Sequence, residues 1–420
     1  MDPPTQKHSR VVIVGGSLAG LMCAIVLKKA GYHVQVLEQD DDQRRSHMAG
    51  IGLGPVGARF LSQYARLESV FTHTTNGVHL LKGDGSMKLL AQGRREITSW
   101  DTLYLCFPPH PADDTGGTAT YSSNTKVIKI ESSGASGSGL VVFAQDTTTK
   151  KEYCIPAAMI IGADGPDSVV RARYLPEVRR HYAGYVAWRG TIPENEVSAD
   201  TFKMFESSVV AHTMKKQHCI VYSIPGADGS LEPGRRFLNF LWYTNESPEA
   251  LEDILVDNEG RRRHNIVPAT YVREEVWAAR LEEARSMCLP KAVLEVMGMI
   301  RHPFIQVITD FCSPCAMFEG GKALLVGDAV SLFRPHAAMG GAQAAYHALL
   351  LEQYLCGEIS LEGWHDRVTQ FSYSFWLQSV WWGEFYQGTF RTALLSGLRY
   401  WLHCGRRWLA QLWARKAADV

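Results

Sequence analysis

The chain lacks a net charge, a long apolar run and a paired cysteine framework. Its 43 basic and 43 acidic side chains cancel, and without a net positive field we expect no nucleic-acid partner of the basic-patch kind. No apolar run reaches the roughly 18 residues of a membrane-spanning helix, and the N-terminus lacks the apolar core of a secretory signal. These absences favour a protein whose partner binds in a pocket.

The nine cysteines, an odd number, do not fit the disulfide framework of a secreted domain. They favour a reducing compartment, and we expect a cytoplasmic protein. Cys312 and Cys315 have the spacing of a redox motif or of half a metal site, but a zinc site needs a second pair or histidines at matching spacing. We therefore interpret them as ordinary thiols and expect no metal.

A chain of 420 residues that is 46% apolar has enough material for two or three structural units. The first unit begins with Val11–Val14, an apolar β-branched run that predicts a strand. Leu18–Ala30 has helical periodicity and ends before Gly31, and His33–Glu38 alternates as a second strand. Strand, helix and strand within about thirty residues predict half of a dinucleotide-binding fold with a right-handed crossover.

The turn between that strand and helix has the glycines of a dinucleotide fingerprint, except that its middle glycine is Ser17. Gly15 suits the tight turn, and Gly20 allows close packing of helix and strand, so Ser17, Leu18 and Ala19 would lie near a pyrophosphate. Glu38 ends the second strand, where a carboxylate binds ribose hydroxyls and repels a 2′-phosphate. This pattern favours FAD or NAD over NADP.

Two other interpretations of this turn remain open. A glycine turn without a ligand is one of them, and Glu38 argues against it. A serine-hydrolase turn with Ser17 as nucleophile is the other, but that motif requires glycine where Ala19 stands.

Two further apolar strands end in glycine and aspartate, and together with the first turn they carry a family resemblance. Ile160–Gly165 is followed by Arg171, and Leu325–Ala329 is followed by a segment with Pro335 and two glycines. In this order and spacing, the motifs resemble those of the class A single-component flavoprotein monooxygenases related to p-hydroxybenzoate hydroxylase, over residues 11 to about 355. Segments 182–190 and 334–342 are most similar to the subgroup that hydroxylates dihydroxypyridines.

The resemblance implies FAD as cofactor, NADH or NADPH as co-substrate, and O2. The expected reaction is hydroxylation of an electron-rich aromatic or N-heteroaromatic ring through a flavin C4a-hydroperoxide. An alternative is epoxidation or dearomatising hydroxylation of a bulkier metabolite. A non-catalytic flavin-fold protein that binds a partner is a third hypothesis, against which Glu38, Asp164 and Asp328 argue.

The resemblance also assigns cofactor contacts beyond the first turn. Asp328 would accept a hydrogen bond from a ribityl hydroxyl, and Pro335 would fix the loop beside the flavin ring. Backbone N–H groups at a helix start would stabilise negative charge on the reduced ring. The remaining expected contacts are Gly50, Asp164, Gly165, Arg171, Gly327, Gly340 and Gly341.

On the substrate side, His336 is the first candidate for the base that ionises the substrate, and a loop histidine held by backbone is its alternative. Tyr185 and Tyr222 are expected as relay or hydrogen-bonding groups. Trp188 and Trp242 are expected as pocket walls. His47 is a weaker candidate base.

The predicted fold class is α/β: a Rossmann-like FAD-binding domain interleaved with a mostly antiparallel substrate domain, plus C-terminal helices. Within it, Leu251–Met299 is predicted helical, and its Arg261–Arg263 run is more typical of a solvated surface than of a phosphate site. The predicted segments are 1–75, 98–178 and 296–365 for the FAD-binding domain, 76–97 and 179–295 for the substrate domain, and 366–420 for the C-terminal helical region.

The C-terminal tail has an unusual composition. Trp376–Trp413 contains six of the eleven tryptophans, and no acidic residue lies between Glu384 and Asp419. This composition suits an amphipathic helix that lies on a membrane surface or covers a pocket. A terminal helix packed on its own domain is the favoured alternative, and a homodimer is a further expectation.

Overall fold

The computed structural model describes residues 9–41, 49–65, 72–107, 116–132 and 139–418. His47 lies outside these residues. Within them, the chain forms three sheets and a set of helices that cover the sheets. The helices other than the 3-10 turns are Leu18–Lys29, Gly54–Tyr64, Trp100–Leu105, Val169–Tyr174, Ala199–Phe205, Pro248–Ile254, Glu274–Ser286, Lys291–Met299, Gly340–Leu355, Leu361–Gln387 and Phe390–Ala418.

A sheet of six strands, counted over the described residues, forms the first layer and is called the parallel sheet below. Strand Arg10–Val14 pairs in parallel with His33–Leu37 on one side and with Met159–Gly162 on the other. Residues Val11–Val14 of this strand are apolar and buried because both faces of such a sheet are covered. In spatial order, the strands are Met317–Phe318, Ala323–Leu325, Met159–Gly162, Arg10–Val14, His33–Leu37 and Thr118–Ser122.

Helices Leu18–Lys29 and Gly340–Leu355 pack against each other beside this sheet. They come from opposite ends of the chain, so one layer joins segments more than 300 residues apart in sequence. The predicted strand, helix and strand at the N-terminus are confirmed, as is the helix over 340–355. Only Met317–Phe318 runs antiparallel to its neighbour in the sheet.

The second layer, called the large sheet below, has ten strands within the described residues. Its neighbouring strands are antiparallel except for Val209–Met214, which pairs in parallel with His73–Leu81. Along the main path, the strands are Ile266–Val267, Phe304–Cys312, His181–Pro193, Phe237–Asn245, Gln217–Ile224, Val209–Met214, His73–Leu81, Met87–Ser99 and Gly50–Gly52, and Ser331–Leu332 pairs with Phe304–Cys312.

Side chains alternate between the two faces of the large sheet. One face carries Trp188 and Trp242 in a core shared with helices Glu274–Ser286 and Lys291–Met299. The opposite face, called the tyrosine face below, carries Tyr185, Tyr222 and Tyr243. Because the period of a strand is two, neighbouring residues in sequence contribute to different environments.

A small sheet of three strands, Thr125–Ser132, Leu140–Asp146 and Glu152–Ala157, joins the two halves of the parallel sheet in sequence. The expectation of a helix throughout 251–299 is wrong for residues 255–273 and 287–290, which lie between helices. Asp257 accepts hydrogen bonds from the backbone N–H groups of Glu259 and Arg261, and this turn ends the first helix. Carboxylate bonds to nearby backbone groups compete with helix continuation.

Two strands from the predicted FAD-binding segments pair into the large sheet. Strands Gly50–Gly52 and Phe304–Cys312 belong to the large sheet, although the sequence prediction placed both in the FAD-binding domain. Hydrophobic periodicity identifies a strand, but the identity of its pairing partner depends on residues far away in sequence.

The chain ends in two long helices. The penultimate helix, Leu361–Gln387, and the C-terminal helix, Phe390–Ala418, pack against each other. The penultimate helix also contacts the Pro335–Ala337 turn and strand Phe304–Cys312. Among the described helices, none combines the length and apolar content needed to cross a bilayer.

Candidate active site

The first glycine turn is shaped by close backbone approach. Gly15 has a φ of +103°, and a Cβ there would collide with the backbone carbonyl of Ala163, which follows the neighbouring strand Met159–Gly162. A Cβ at Gly20 would collide with the carbonyl oxygen of Gly15. Ser17 precedes the first helix, and its side chain makes no capping hydrogen bond. The helix N-terminus, beginning with Leu18 and Ala19, therefore has donors suited to an anionic group.

Glu38 is buried and holds this turn. Its Oε2 accepts a hydrogen bond from the Gly16 N–H at 2.7 Å, and its Oε1 accepts one from the Asp40 N–H at 3.0 Å. A carboxylate offers about four acceptor sites, so these bonds are compatible with further bonds to ribose hydroxyls. The structure places Glu38 beside the glycine turn, as the fingerprint predicts.

Asp164 follows strand Met159–Gly162, and its backbone lies beside the same turn, since a Cβ at Gly15 would be 2.9 Å from the Cα of Asp164. Its Oδ2 accepts a hydrogen bond from the Val169 N–H at 2.7 Å, while its Oδ1 is buried and has no partner within the described residues. Burial raises the pKa of Asp164. A buried acceptor without a partner is costly, and a donor from a bound cofactor would remove that cost. Gly165 follows with a φ of +72°.

Arg171 has a different role from the one the sequence predicted. Its guanidinium donates hydrogen bonds to the backbone carbonyls of Pro166, Val178 and Ala329 and stacks 4.1 Å from the Phe311 ring centroid. The residue is 3% exposed. Arg171 was expected among the cofactor contacts, but its donors bind these carbonyls and tie the loops after Asp164 and Asp328 together.

The second aspartate loop rests on the first helix. Gly327 has a φ of +59°, and a Cβ there would lie 2.6 Å from the Cβ of Ala19. Asp328 is half-buried, and desolvation raises its pKa to about 6. Its Oδ1 faces Gln343 at 3.5 Å. Close contact at Gly327 thus brings the Asp328 carboxylate to the cleft that starts at the glycine turn.

The cleft continues to the start of helix Gly340–Leu355. A Cβ at Gly341 would lie 3.1 Å from Ile51, so this helix start is adjacent to strand Gly50–Gly52. Space beside Gly340 is open within the described residues. The cleft fits FAD on three grounds: glycines that admit close backbone approach, a buried acceptor on Asp164 without a partner, and two helix N-termini.

His336 lies beyond this cleft, against the tyrosine face. Its Nε2 is 2.8 Å from the hydroxyl oxygen of Tyr185, and its Nδ1 is buried without a partner in the described chain. Burial, together with the nearby His218 and Arg334, lowers the pKa of His336 well below its usual value. The imidazole is therefore uncharged at neutral pH.

An aromatic cluster surrounds His336. Ring centroids of Tyr243 and His218 lie 4.9 and 5.2 Å away, and the ring of Tyr386 lies 5.9 Å away. Burial lowers the pKa of His218 to about 3. Its Nδ1 lies 3.0 Å from the side-chain Nε2 of Gln387, and its own Nε2 is buried without a partner in this part of the chain. The cluster is therefore neutral at pH 7.

Further along the tyrosine face, Tyr222 and Asn239 meet strand Gly50–Gly52. A Cβ at Gly50 would collide with the Tyr222 hydroxyl, and the Gly50 N–H donates to Asn239 Oδ1 at 3.4 Å. The Nδ2 of Asn239 and the Nε of Arg189 are both buried and lack partners within the described ranges. The structure thus brings Gly50, Tyr222, Tyr185 and His336 to one side of the sheet.

The prediction that Trp188 and Trp242 line the substrate pocket is wrong. Both side chains are fully buried on the face opposite to Tyr185. Trp188 donates its indole N–H to Thr244 at 2.8 Å, and the guanidinium of Arg280 lies 4.3 Å from its ring centroid. Strand alternation explains the error, because aromatic residues an odd number of positions from Tyr185 and Tyr243 project to the other face.

The sequence prediction missed the network that holds the His336 segment. Arg334, 8% exposed, pairs with Asp310 at 2.7 Å and with Glu384 at 2.9 Å. Its backbone N–H donates to Ser379 at 3.1 Å, and Trp376 donates to Asp310 at 2.8 Å. The motif offered one signal, since Arg334 directly precedes Pro335, but its partners come from distant segments of the chain.

Gly383 allows the penultimate helix to approach this network. A Cβ there would lie 2.8 Å from the Tyr185 hydroxyl and from the Arg334 side chain.

We expect Gly383→Ala to cost about 1 to 3 kcal/mol of stability by overpacking and to lower turnover by displacing Tyr185 from His336. Melting temperature, FAD content and kcat measure the effect. Gly405→Ala, where no described atom lies within 4 Å of the added Cβ, is the control, and equal values for both variants would contradict the expectation.

Cys312 and Cys315 are free thiols, as are the other seven cysteines. Burial raises the pKa of Cys312 to about 11. A redox-active thiol needs a lowered pKa, so Cys312 does not have the character of a redox nucleophile.

Comparison with known proteins agrees with this geometry. A family model described as FAD binding domain-like matches residues 182–310, and one described as an NAD(P)-binding Rossmann-like domain matches residues 13–43. The chain is 30% identical to 2,6-dihydroxypyridine 3-monooxygenase of Paenarthrobacter nicotinovorans over 385 residues, covering 88% of this chain and 89% of that protein. The chain belongs to the FAD-dependent aromatic monooxygenases.

Two further relatives place this monooxygenase in the same family. The solved structure of 2,6-dihydroxypyridine-3-hydroxylase from Arthrobacter nicotinovorans matches with a TM-score of 0.78 and 26% identity, covering 91% of this chain and 94% of that one. 6-Hydroxynicotinate 3-monooxygenase of Pseudomonas fluorescens is 22% identical over 374 residues, 83% of each chain. The predicted fold class, the FAD cofactor and the NAD(P)H co-substrate are confirmed.

Proposed function

We propose that this monooxygenase hydroxylates an electron-rich aromatic or N-heteroaromatic ring that carries an ionisable hydroxyl. The ring would bind between His336 and the Tyr222 end of the tyrosine face. The observation that carries the proposal is a set of buried polar atoms without partners within the described residues: His336 Nδ1, Asn239 Nδ2 and Arg189 Nε. The relatives named for dihydroxypyridine and hydroxynicotinate substrates support the same ring class.

Bound FAD supplies the redox chemistry with O2 and NAD(P)H. The residues that would hold it are Glu38, Asp164 and Asp328, which offer carboxylate acceptors, and the helix starts at Leu18 and Gly340, which offer N–H donors. The protein itself would then bind and orient the ring and exclude water.

We assign His336 a proton-handling role on its geometry. Tyr185 engages Nε2 at 2.8 Å, which leaves the buried Nδ1 to hydrogen-bond the ring hydroxyl. An imidazole that is uncharged at neutral pH can take a proton from that hydroxyl. The positive charge of the neighbouring Arg334 opposes storage of the proton on His336, so His336 would polarise the ring hydroxyl by accepting its hydrogen bond and would not keep the proton.

The penultimate helix would close this space against water. Tyr386 stacks on His218 with centroids 4.4 Å apart, and Gln387 bonds to His218 and accepts a hydrogen bond from Asn245 at 2.9 Å. These contacts anchor the end of the helix to the large sheet. Tyr386 and Tyr222 are thus better candidates for pocket walls than the two tryptophans.

The test is a screen of hydroxylated pyridines and phenols for stimulated NAD(P)H oxidation by the FAD-loaded protein. Product mass separates hydroxylation, an added oxygen atom, from uncoupled peroxide formation. We expect at least one hydroxylated ring to give a product heavier by one oxygen. Oxidation that yields only peroxide with every ring would contradict the proposal.

We also propose that the C-terminal helix contacts an anionic membrane surface. The helix contains no acidic residue, and its exposed face carries Arg391, Arg399 and Arg406. Like charges on two copies of this face would repel each other, which favours a membrane over a second chain. Large apolar side chains at least 50% exposed on the helix are Phe390, Leu394, Leu395, Leu398, Trp401, Leu402, Trp408 and Leu409.

We expect the wild-type protein to sediment with vesicles containing phosphatidylserine, less at high salt, and the double variant Leu398→Glu, Trp401→Glu to remain in the supernatant. Apolar insertion and about 1 kcal/mol for each arginine near the surface supply the binding free energy. Leu105→Glu, at an exposed leucine on another helix, is the control. Failure of the wild-type protein to sediment, or a concentration-dependent dimer that the double variant abolishes, would contradict membrane contact.

A further inference from the structure

Three polar side chains form a buried hydrogen-bonded chain next to the Asp328 loop. Gln343 and His347 lie four residues apart on helix Gly340–Leu355, and Ser372 faces them from the penultimate helix. All three residues are 0% exposed. Residues four positions apart share one face of a helix, so Gln343 and His347 approach the same loop.

One end of this chain is fixed by a backbone donor. The Gly327 N–H donates to His347 Nδ1 at 3.0 Å. Because a backbone N–H can only donate, Nδ1 is the unprotonated nitrogen of the ring and Nε2 carries the proton. Ser372 Oγ lies 3.4 Å from Nε2 and accepts its hydrogen bond. Burial lowers the pKa of His347 to about 3, so the imidazole keeps this neutral form at pH 7.

The other end of the chain is fixed by a backbone acceptor. The Ser331 carbonyl accepts a hydrogen bond from Gln343 Nε2 at 2.9 Å. Because a carbonyl can only accept, the Gln343 amide has its nitrogen on this side and its Oε1 towards Ser372. Ser372 Oγ lies 3.2 Å from that oxygen and donates its proton to it. Both ends therefore impose the same direction, from the His347 ring through the serine hydroxyl to the amide.

This direction decides which atom of Gln343 meets Asp328. The amide nitrogen has two N–H groups; one is used by Ser331, and Asp328 Oδ1 lies 3.5 Å from the same nitrogen. With the amide turned over, Oε1 would face the carboxylate, and two acceptors would oppose each other. On the backbone side, His347 holds Gly327, whose φ of +59° favours glycine. The chain thus acts on the Asp328 loop at two points.

We propose that His347 is a positioning residue for FAD binding, which holds the Gly327 backbone directly and aims the Gln343 amide at Asp328 through Ser372. It acts through the loop and not on the cofactor. Ser372 lies on the helix that also holds the His336 segment, so one helix supports both the cofactor side and the substrate side of the site. This inference rests on the proposed function, since it takes Asp328 as a residue that holds FAD.

A charged neighbour also acts on the Asp328 carboxylate. Desolvation raises the pKa of Asp328, and the positive charge of Arg180 opposes that rise. Arg180 itself pairs with Asp167 at 2.5 Å. The imidazole, hydroxyl and amide of the chain are uncharged at neutral pH, so they act on the carboxylate by hydrogen bonding. The pH dependence of FAD binding therefore reports how the Gln343 amide is oriented.

The test strips flavin from the full-length protein and measures FAD rebinding by flavin fluorescence from about pH 5 to pH 8, on both sides of the pKa of Asp328. Ser372→Ala frees the Gln343 amide to turn, and a carboxylate that loses a donor and meets an acceptor has a higher pKa. We expect the pH at which FAD binding is half lost to rise by about 0.5 to 1 unit. The Kd for FAD at pH 7 should rise about 2- to 10-fold, the contribution of one hydrogen bond.

Two variants of His347 separate the two contact points. His347→Leu removes both and should weaken FAD binding more than Ser372→Ala does. His347→Asn keeps an acceptor for the Gly327 N–H but does not reach Ser372, so it should recover the affinity of Ser372→Ala. Ser374→Ala is the matched control, because this serine of the same helix bonds to the C-terminal helix, and it should bind FAD as the wild-type protein does.

Melting temperature shows whether each variant is folded. A Ser372→Ala protein with the wild-type Kd and the wild-type pH midpoint would overturn the inference, as would a His347→Asn protein no better than His347→Leu. If His347→Leu does not fold, Ser372→Ala decides. An Asp328→Ala protein that retains FAD would instead contradict the cofactor site assumed in the proposed function.

Discussion

Asp328→Ala is expected to purify largely without FAD. Gly327 packs closely on Ala19 of the first helix, and this packing places the neighbouring Asp328 carboxylate at the cofactor cleft. The Oδ1 of Asp328 lies 3.5 Å from the Nε2 of Gln343. Loss of a hydrogen bond to a charged acceptor costs about 1.5 to 3 kcal/mol, or roughly 10- to 150-fold in affinity. The ratio of flavin absorbance to protein absorbance measures the loss. Asp228→Ala, at an exposed turn aspartate, is the control, and a fully flavinylated Asp328→Ala protein with normal turnover would contradict the role.

The pKa of Asp328 adds a pH dependence to this expectation. Desolvation raises the pKa to about 6, so the carboxylate is charged at pH 7 and becomes protonated as the pH falls through that value. If FAD binds the ionised form, FAD affinity should fall about tenfold between pH 7 and pH 5. Asp328→Asn keeps an acceptor oxygen but does not titrate, so its weaker affinity should vary little over this range. An equal slope in both proteins would assign the pH dependence to another group.

His336→Ala is expected to lower kcat by about 10²- to 10⁴-fold, the usual contribution of a positioned proton-transfer group. FAD content should stay unchanged, because the His336 side chain contacts Tyr185 and the aromatic cluster. NAD(P)H oxidation should continue and yield peroxide, since the ring would no longer be ionised. Turnover, product mass and peroxide together measure the effect.

Two variants separate proton handling from packing. His336→Gln keeps a hydrogen-bonding side chain of similar reach but cannot relay a proton, so it should bind the substrate and remain slow. Tyr185→Phe removes the hydroxyl at 2.8 Å from Nε2 and should shift the pH profile of kcat. A His336→Ala protein with kcat within threefold of the wild-type value would reject the role.

The cofactor half of the protein was predictable from local patterns. The turn at Gly15 and the carboxylates Glu38, Asp164 and Asp328 follow strands whose apolar composition identifies them. The carboxyl ends of parallel strands meet at the same edge of a sheet. Residues that directly follow these strands in the sequence are therefore also near one another in space. Arg171 is the exception, because nothing local showed that three backbone carbonyls would take up its donors.

The substrate half was predictable only in part. His336 follows Pro335 in a recognisable motif, but His218, Asn239 and Tyr386 reach the site from three separate elements with no motif of their own. Trp188 and Trp242 were attractive as pocket walls because they lie in aromatic strands. A shift of one position along a strand exchanges the two faces of a sheet, and helix Glu274–Ser286 covers the face on which both tryptophans lie.

The amino-acid sequence by itself determined the dinucleotide fold, the family and the strand-end carboxylates that we expect to hold FAD, because each depends on residues that are neighbours in the chain. The tertiary structure alone decided which face of the large sheet meets His336, that Arg334 is held by Asp310 and Glu384, and that Ser372 joins Gln343 to His347. These features depend on strand register and on helices packed from distant segments. Local hydrophobic periodicity indicates that a residue is buried, but it does not name the residues that bury it.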